Sequence, residues 1–402
     1  MAAPMASWTL ESAAQRVLEV APERHVAEAE VHSREGVLVQ SDLWSNPSVD
    51  FGVDNSLGKQ DGRGGNDLTR VIITQPLPLS GRLGFRRKQA DAGLRQAEAE
   101  AGQQRLILEH QAAYAFHGLQ MNRALYQLAE QRLQTADEFQ NIGRRREQAG
   151  DLSRLERLRL DIVREKAKQM IASAEGEYSE SLSHFQTLLN ISETEPQLLA
   201  LDQLPTLPEL AVLEQHLELH PAMVAAREGI EAARHGVDLA RANRFADPAL
   251  WVAHERSFLA ERRQDVNAIG VIVTLPLWDQ GKGHIDTAQA AREKAQFEQE
   301  ALRRQLTSRL HLTHMHLGHL IEQAQEYRVT VLEPAGEVFQ LTRKGFAAGQ
   351  VDILNLVDAV ETYFTARSRY LELVQGAWLE AAELRRAAGI SLLSSNSEGA
   401  AQ

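Results

Sequence analysis

VIITQPLPLSG at Val71–Gly81 returns as VIVTLPLWDQG at Val271–Gly281, with six identities in place and a shift of 200 residues. The flanks repeat too. Pro22 and Pro221 begin matching stretches that close at Asn46-Pro47 and Asp247-Pro248. Beyond the copies, Ala149-Gly150-Asp151-Leu152 and Ala348-Gly349-Gln350-Val351 hold equivalent places. So long a period means a duplicated architectural unit. Pores, scaffolds and transporters are often built from repeats, whereas enzyme active sites are usually asymmetric.

Composition narrows the class. The 402 residues carry a net charge of −12, which argues against a nucleic-acid partner, because phosphate binding needs clustered Lys and Arg. The short basic run Arg144-Arg145-Arg146, followed at once by Glu147, reads as a solvated helix face. With no cysteine there is no disulfide, thiolate metal site, cysteine nucleophile or lipidated N-terminal cysteine in the chain as written. MAAPMASWTLESAA lacks the basic start and roughly 7–15-residue apolar core of a signal peptide, so the expectation is a cytoplasmic chain or one whose leader has been removed. No stretch approaches the roughly 20 consecutive apolar residues of a transmembrane helix. A membrane role must use strands.

No proline interrupts the chain between Pro78 and Pro196, a region rich in Ala, Leu, Glu, Gln and Arg, which lose little on entering a helix. Gly150, with Asp151 or Ser153 able to cap the next helix, supplies the turn. It divides the run into helices at about Leu83–Gln148 and Ser153–Leu189. At about 1.5 Å per residue the first would be on the order of 95 Å long. The second copy matches, with Gly283–Ala347 and Asp352–Ala388 turning at Ala348-Gly349-Gln350, and Pro334 should kink its first arm. Apolar spacings of three and four residues, as in Leu125/Leu128, Leu354/Val357 and Ala366/Tyr370, call for neighbouring helices in a coiled-coil-like bundle.

Two strand pairs lie between the helices: Pro47–Leu57 with Leu68–Leu79, and Pro248–Phe258 with Asp265–Leu277, joined by KQDGRGGND and LAERRQ. Alternating segments of about ten residues suit transmembrane β-strands; two ordinary solvent-facing hairpins are the other reading. Four strands cannot close a barrel, which takes about eight, and membranes forbid open edges, so a spanning barrel requires several chains. The organisation is then a first repeat over residues 1–204 (strand pair 47–79, hairpin 83–189), a second over 205–390 (strand pair 248–277, hairpin 283–388), and a disordered tail over 391–402.

The run Gly345-Phe-Ala-Ala-Gly-Gln-Val-Asp-Ile-Leu-Asn-Leu-Val-Asp-Ala359, followed by Thr362, Arg367, Tyr370 and Leu371, resembles the TolC-like outer membrane efflux channels. So do the paired Asn46-Pro47/Asp247-Pro248 and Pro76-Leu77/Pro276-Leu277 boundaries. The resemblance runs from about Trp8 to Ile390. The C-terminal helix, ending Ala381-Ala-Glu-Leu-Arg-Arg-Ala-Ala-Gly389, is most similar to the heavy-metal, cobalt-zinc-cadmium branch. This resemblance implies a mainly α fold with a small β part. Long helical hairpins form a trimeric α-barrel, and four strands per chain join a twelve-stranded transmembrane β-barrel. It implies a homotrimer in outer membrane lipid with a periplasmic extension, no cofactor, and a passive exit duct for heavy-metal cations. Cargo would come from an inner-membrane RND-type pump through a periplasmic adaptor. Gly150, Asp151, Leu152, Gly349, Gln350 and Val351 map to the adaptor-docking tip, and a tight helix-helix turn would explain the same glycines. Asn355 and Asp358 map to the channel constriction, with Asn355 standing where an acid would add a second ring.

One local feature bears on cargo. In HLTHMHLGHL, His311, His314, Met315 and His319 fall on one side of a helix, with His316 close by. Imidazoles so spaced can share zinc, copper, nickel or cobalt, or each can pack or face solvent separately. No enzyme is expected, because cysteine, a phosphate-binding glycine loop after a strand and a nucleophile motif are all missing. The alternatives are a channel for drug efflux or type I protein secretion, or a periplasmic coiled-coil adaptor or scaffold. An adaptor has one hairpin and several compact β domains, and prolines at 47, 76, 248 and 276 argue against continuous rods.

Overall fold

Gly81 and Gly281, identical in the two copies, adopt φ of +76° and +67° in the computed structural model, which describes residues 8–54, 68–192, 203–259 and 262–393. Each carbonyl accepts the first helical hydrogen bond, from the amides of Phe85 and Ile285. A positive φ is inexpensive only for glycine, and here it turns a strand exit into a long helix. The sequence identity therefore marks a corner of the fold.

Around these corners run α1 (Leu10–Val20), α2 (Pro22–Ser41), β1 (Ser48–Asp54), β2 (Leu68–Pro76), α3 (Arg82–Ala149) and α4 (Arg154–Leu189). The second half gives α5 (Leu210–His216), α6 (Pro221–Ala242), β3 (Ala249–Leu259), β4 (Arg262–Ile272), α7 (Lys282–Tyr327), α8 (Glu333–Ala347) and α9 (Ile353–Ala388). The interruption expected at Pro334 takes a definite form. Residues Arg328–Leu332 make one π-helical turn, in which the Glu333 amide donates to the Arg328 carbonyl. Proline has no N–H and its ring crowds the carbonyl four residues back. The wider turn relieves both, and Pro334 sits in the first turn of α8, where no donor is required.

The strands form one antiparallel sheet in the order β1-β2-β3-β4. The expected extension of the fourth strand to Leu277 is not realised. Its last register pair is Ala249–Ile272, because β3 begins there and leaves Val273–Leu277 nothing to pair with. The KQDGRGGND turn lies outside the described residues, as do residues 260–261 of the other turn. Register places Val49, Ile73, Val252 and Ile269 in one row of one face, with Leu250 and Val271 below and Phe51 and Val71 above. All but Val71 are among the exposed large apolar side chains. The opposite face carries Ser48, Asp50, Arg70, Thr74, Glu255 and Gln264 alongside Ile72 and Val266. There Trp251 lies over Gly270, where a Cβ would come within 2.6 Å of its ring. An apolar face backed by a mixed polar one is the pattern of a strand between lipid and a wet lumen.

The chain divides into two compact units that do not follow the repeats. One comprises Met1–His25, Gly102–Pro221 and Arg304–Gln402, the other Val26–Ala101 and Ala222–Arg303. Each draws on both copies. The first is held by three apolar clusters. One centres on Phe139, Leu160, Phe346 and Leu356, one joins Val17, Phe116, Phe185 and Leu392, and one joins Leu213, Leu310, Leu317 and Leu384. Leu128 belongs to the first cluster, whereas Leu354 is 59% exposed. Of the tail expected at 391–402, residues 394–402 lie outside the described residues. Its first part is packed: the buried Glu109 carboxylate accepts the Ser391 hydroxyl and the Leu392 amide, both at 2.7 Å.

Candidate functional site

Both hairpin turns are built by the same hydrogen bonds. At the first, Gly150 takes φ +83°, its amide donates to Glu147 O at 3.0 Å, and the Asp151 amide donates to Arg146 O at 2.9 Å. At the second, Gly349 takes φ +77°, its amide donates to Phe346 O at 3.0 Å, and the Gln350 amide to Gly345 O at 2.9 Å. This pairing satisfies the last carbonyls of α3 and α8 and needs a left-handed residue at its centre. The helices after the turns are capped. Ser153 and Glu156 form a reciprocal capping box before α4. Before α9, the Asp352 carboxylate accepts the Asn355 amide at 2.9 Å.

Of the six tip residues, Gly150, Asp151, Gly349 and Gln350 are exposed, Val351 is half-buried and Leu152 is buried. The two apolar members fold back and close their turns. Leu152 lies in the cluster with Leu160 and Ile353, and Val351 lies so close to Gly345 that a Cβ there would meet it at 2.5 Å.

The turns are also tied to each other, which the sequence did not signal. Arg146 donates from Nη1 to Phe346 O at 3.2 Å with its guanidinium 5.2 Å from the centre of the Phe346 ring. Phe139 meets that ring edge-on at 6.0 Å. Further along, Arg343 donates to both Glu138 oxygens, at 3.3 and 2.6 Å, and Arg132 pairs with Glu361. The reading of Arg144-Arg145-Arg146 as a solvated face therefore applies to the exposed Arg144 and Arg145 and is corrected for the half-buried Arg146. Nothing in an Arg-rich run distinguishes the one whose turn of helix faces a neighbouring phenylalanine.

Asn355 and Asp358 are both exposed on α9, three residues apart and so on one face. Asn355 acts locally, its side-chain amide donating to Asp352 Oδ2 at 3.1 Å. A carboxylate there would confront the Asp352 carboxylate, which gives a physical reason for an amide where an acid was anticipated. Asp358 makes no ion pair among the described residues.

The histidine run does not converge. His311 Nε2 lies 2.7 Å from Glu214 Oε1, His314 Nε2 lies 2.9 Å from Pro208 O, and His316 approaches Glu380 at 3.9 Å. Met315 is half-exposed and His319 exposed. Among the described residues, no group of three or more His, Cys, Asp or Glu could hold a metal ion. The set His311, His314, Met315 and His319 is thus not assembled as a metal site. The first two imidazoles brace α7 against the segment around α5.

Other ionisable groups were not foreseen. Burial works against charge on Glu383, yet hydrogen bonds from Arg386 and Arg309 hold its carboxylate below the usual range. His110 shares this carboxylate at 3.2 Å but is itself pushed down by burial. His117 is 4% exposed, places Nδ1 at 2.8 Å from Gln120 Oε1 and stacks on Trp378. Burial takes it down to about 4.

The doubled plan of strand pair and capped hairpin has its counterpart in a doubled match to one known family, the outer membrane efflux proteins. The family's sequence pattern matches residues 13–190 and 212–390. The chain belongs to the outer membrane efflux proteins. The cobalt-zinc-cadmium resistance protein CzcC of Cupriavidus metallidurans is 26% identical over 367 residues, covering 90% of this chain and 85% of that protein. The nickel-cobalt-cadmium resistance protein NccC of Alcaligenes xylosoxydans is 23% identical over 74% of this chain and 69% of its own length. Among solved structures, CusC superposes with a TM-score of 0.78 at 17% identity, covering 95% of this efflux protein and 92% of CusC. The open-state MtrE outer membrane channel of Neisseria gonorrhoeae gives 0.76 at 18% identity, covering 95% and 89%. The fold of this efflux protein is that of these channel proteins. The paired glycines and prolines mark the order of its elements in the sequence alone.

Proposed function

We propose that three copies of the chain close into one channel that serves as a passive exit duct for heavy-metal cations. An inner-membrane RND-type pump delivers the cargo through a periplasmic adaptor. The observation that carries this reading is the sheet: among the described residues β1 and β4 have a strand on one side only, and one face is apolar and exposed. Open edges are not tolerated in lipid, and four strands are too few to close a barrel. Three chains give twelve strands, with β1 of each copy meeting β4 of the next in a head-to-tail ring.

The helices support the same assembly. Leu155, Leu158 and Ile162 of α4 are 63%, 43% and 57% exposed, and Val331, Val338 and Leu341 are 37%, 52% and 61% exposed. Both sets have heptad spacing, the seam that a neighbouring helix fills. The exposed Gly150, Asp151, Gly349 and Gln350 offer the adaptor a docking rim. Three copies of Asp358 would set a negative ring that favours cations, with Asn355 lining the same constriction.

The cargo rests on the relatives, two of which are named for cobalt, cadmium and zinc or nickel resistance. Growth of a deletion strain across zinc, cobalt, cadmium, nickel and a panel of drugs tests it. Lost metal tolerance with unchanged drug tolerance is expected, and the reverse pattern would move the cargo to drugs.

A further inference from the structure

The outward face of the sheet changes character along its length. Above the row of Val49, Ile73, Val252 and Ile269, the register brings His254 beside Asn267, then Arg256 beside Asp265, then Arg263 opposite Phe258. All five polar residues stand on the same face as the apolar rows. Rows are about 7 Å apart, and in the second hairpin the polar rows begin where its own apolar rows, Leu250 with Val271 and Val252 with Ile269, stop, at the strand ends away from the helices. The first hairpin has no equivalent: at the same heights it carries Phe51 with Val71 and Val53 with Thr69.

The polar groups are organised rather than scattered. Asp265 accepts Arg256 Nε at 2.9 Å on one oxygen and faces Arg263 Nε at 3.5 Å on the other. One carboxylate thus holds two guanidiniums by their inner nitrogens, leaving their terminal nitrogens without a partner among the described residues. Asn267 engages His254 Nδ1 at 2.8 Å, and Nε2 has no partner among the described residues. Two guanidiniums and an imidazole around one carboxylate are net cationic, in a chain whose net charge is −12. Guanidinium forks match phosphate geometry with charge-assisted hydrogen bonds.

We propose that Arg256, Arg263 and His254 form an outward-facing site for the phosphate of an outer-leaflet lipid headgroup, one per protomer, with Asp265 and Asn267 as positioning residues. The inference rests on the barrel reading above, which sets this face toward lipid. The height of the polar rows puts the guanidiniums where acyl chains give way to headgroups. A lipid held there would seal the second hairpin of each protomer against the bilayer, while at the same heights the first hairpin meets lipid through Phe51, Val71 and Val53.

The test compares the full-length channel with R256Q/R263Q, both purified in mild detergent and checked for equal size and for channel formation in planar bilayers. Native mass spectrometry reads the binding of a diphosphoryl glycolipid, of the same lipid after dephosphorylation, and of inorganic phosphate. The intact channel should retain the diphosphoryl lipid about tenfold or more tightly than the double variant, as expected for lost charge-assisted contacts. The dephosphorylated lipid should not distinguish the two, and Arg70→Gln on the opposite face should bind like the intact channel. Equal binding by both proteins, or equal binding of the dephosphorylated lipid, would overturn the site. Displacement of lipid by equimolar inorganic phosphate would reassign it to a free anion and likewise overturn it. If R256Q/R263Q fails to assemble, R256K/R263K, which keeps charge but loses the forks, should still show weakened lipid retention. Absence of channels from the intact protein would instead strike at the barrel reading.

Discussion

Replacing Gly349 by alanine isolates the cost of one backbone conformation at the tip. Gly349 has φ +77°, and a Cβ there would meet only the Arg146 guanidinium, at 3.7 and 3.9 Å, which is ordinary contact distance. No steric term is added, so the penalty is that of an L-residue in the left-handed region, about 1–2 kcal/mol. Asparagine enters that region more readily, so Gly349→Asn should cost about half as much. The amides of Gly349 and Gln350 donate to Phe346 O and Gly345 O, so local opening is read directly by their hydrogen exchange. A loss of about 1 kcal/mol speeds exchange about fivefold. Gly150→Ala, with φ +83° and nothing within 4 Å, should behave alike at its own turn. Exchange unchanged in Gly349→Ala, or an asparagine as damaging as alanine, would refute the reasoning.

Phe346→Ala should be far costlier, about 3–5 kcal/mol, because the ring is fully buried between Phe139 and Arg146; denaturant unfolding of the tip measures it. For His117, the gap between an ordinary 6.5 and about 4, at about 1.4 kcal/mol per pH unit, is worth about 3 kcal/mol. Its folded pKa is depressed, so the unfolded chain binds the extra proton. That stability is present above pH 6.5 and lost as pH falls toward 4, and His117→Leu should flatten the pH dependence of thermal unfolding there. Asp358→Lys should lower the cation preference of reconstituted pores, read as a shifted reversal potential in planar bilayers.

The repeat made the architecture legible because duplicated corners leave the same residues behind. Gly81/Gly281 and Gly150/Gly349 are glycines for their φ, and Pro47/Pro248 mark where strands begin. Strand ends were less legible, since β4 stops where its partner β3 starts, and no residue of β4 encodes that. The π turn before Pro334 followed from proline only as an interruption, not as a form. The site was read unevenly. Turn positions were found by their glycines, but the ties between turns, Arg146 with Phe346 and Glu138 with Arg343, join residues about 200 apart in sequence and leave no local pattern. Helical spacing put four histidine-run residues on one side, yet a side of a helix is wide. His311 and His314 found Glu214 and the Pro208 carbonyl instead of each other.

The central claim is that the open edges β1 and β4 belong together in different copies. The chain has no native cysteine, so pairs introduced at Phe51 in β1 and, in a series, at Asn267, Ile269 and Val271 of the same sheet face in β4 can be oxidised in outer membranes and resolved by denaturing electrophoresis. One register in the series should yield a covalent trimer as the largest species, reverting to monomer on reduction. A ladder continuing beyond trimer, or monomer at every register, would contradict a closed ring of three.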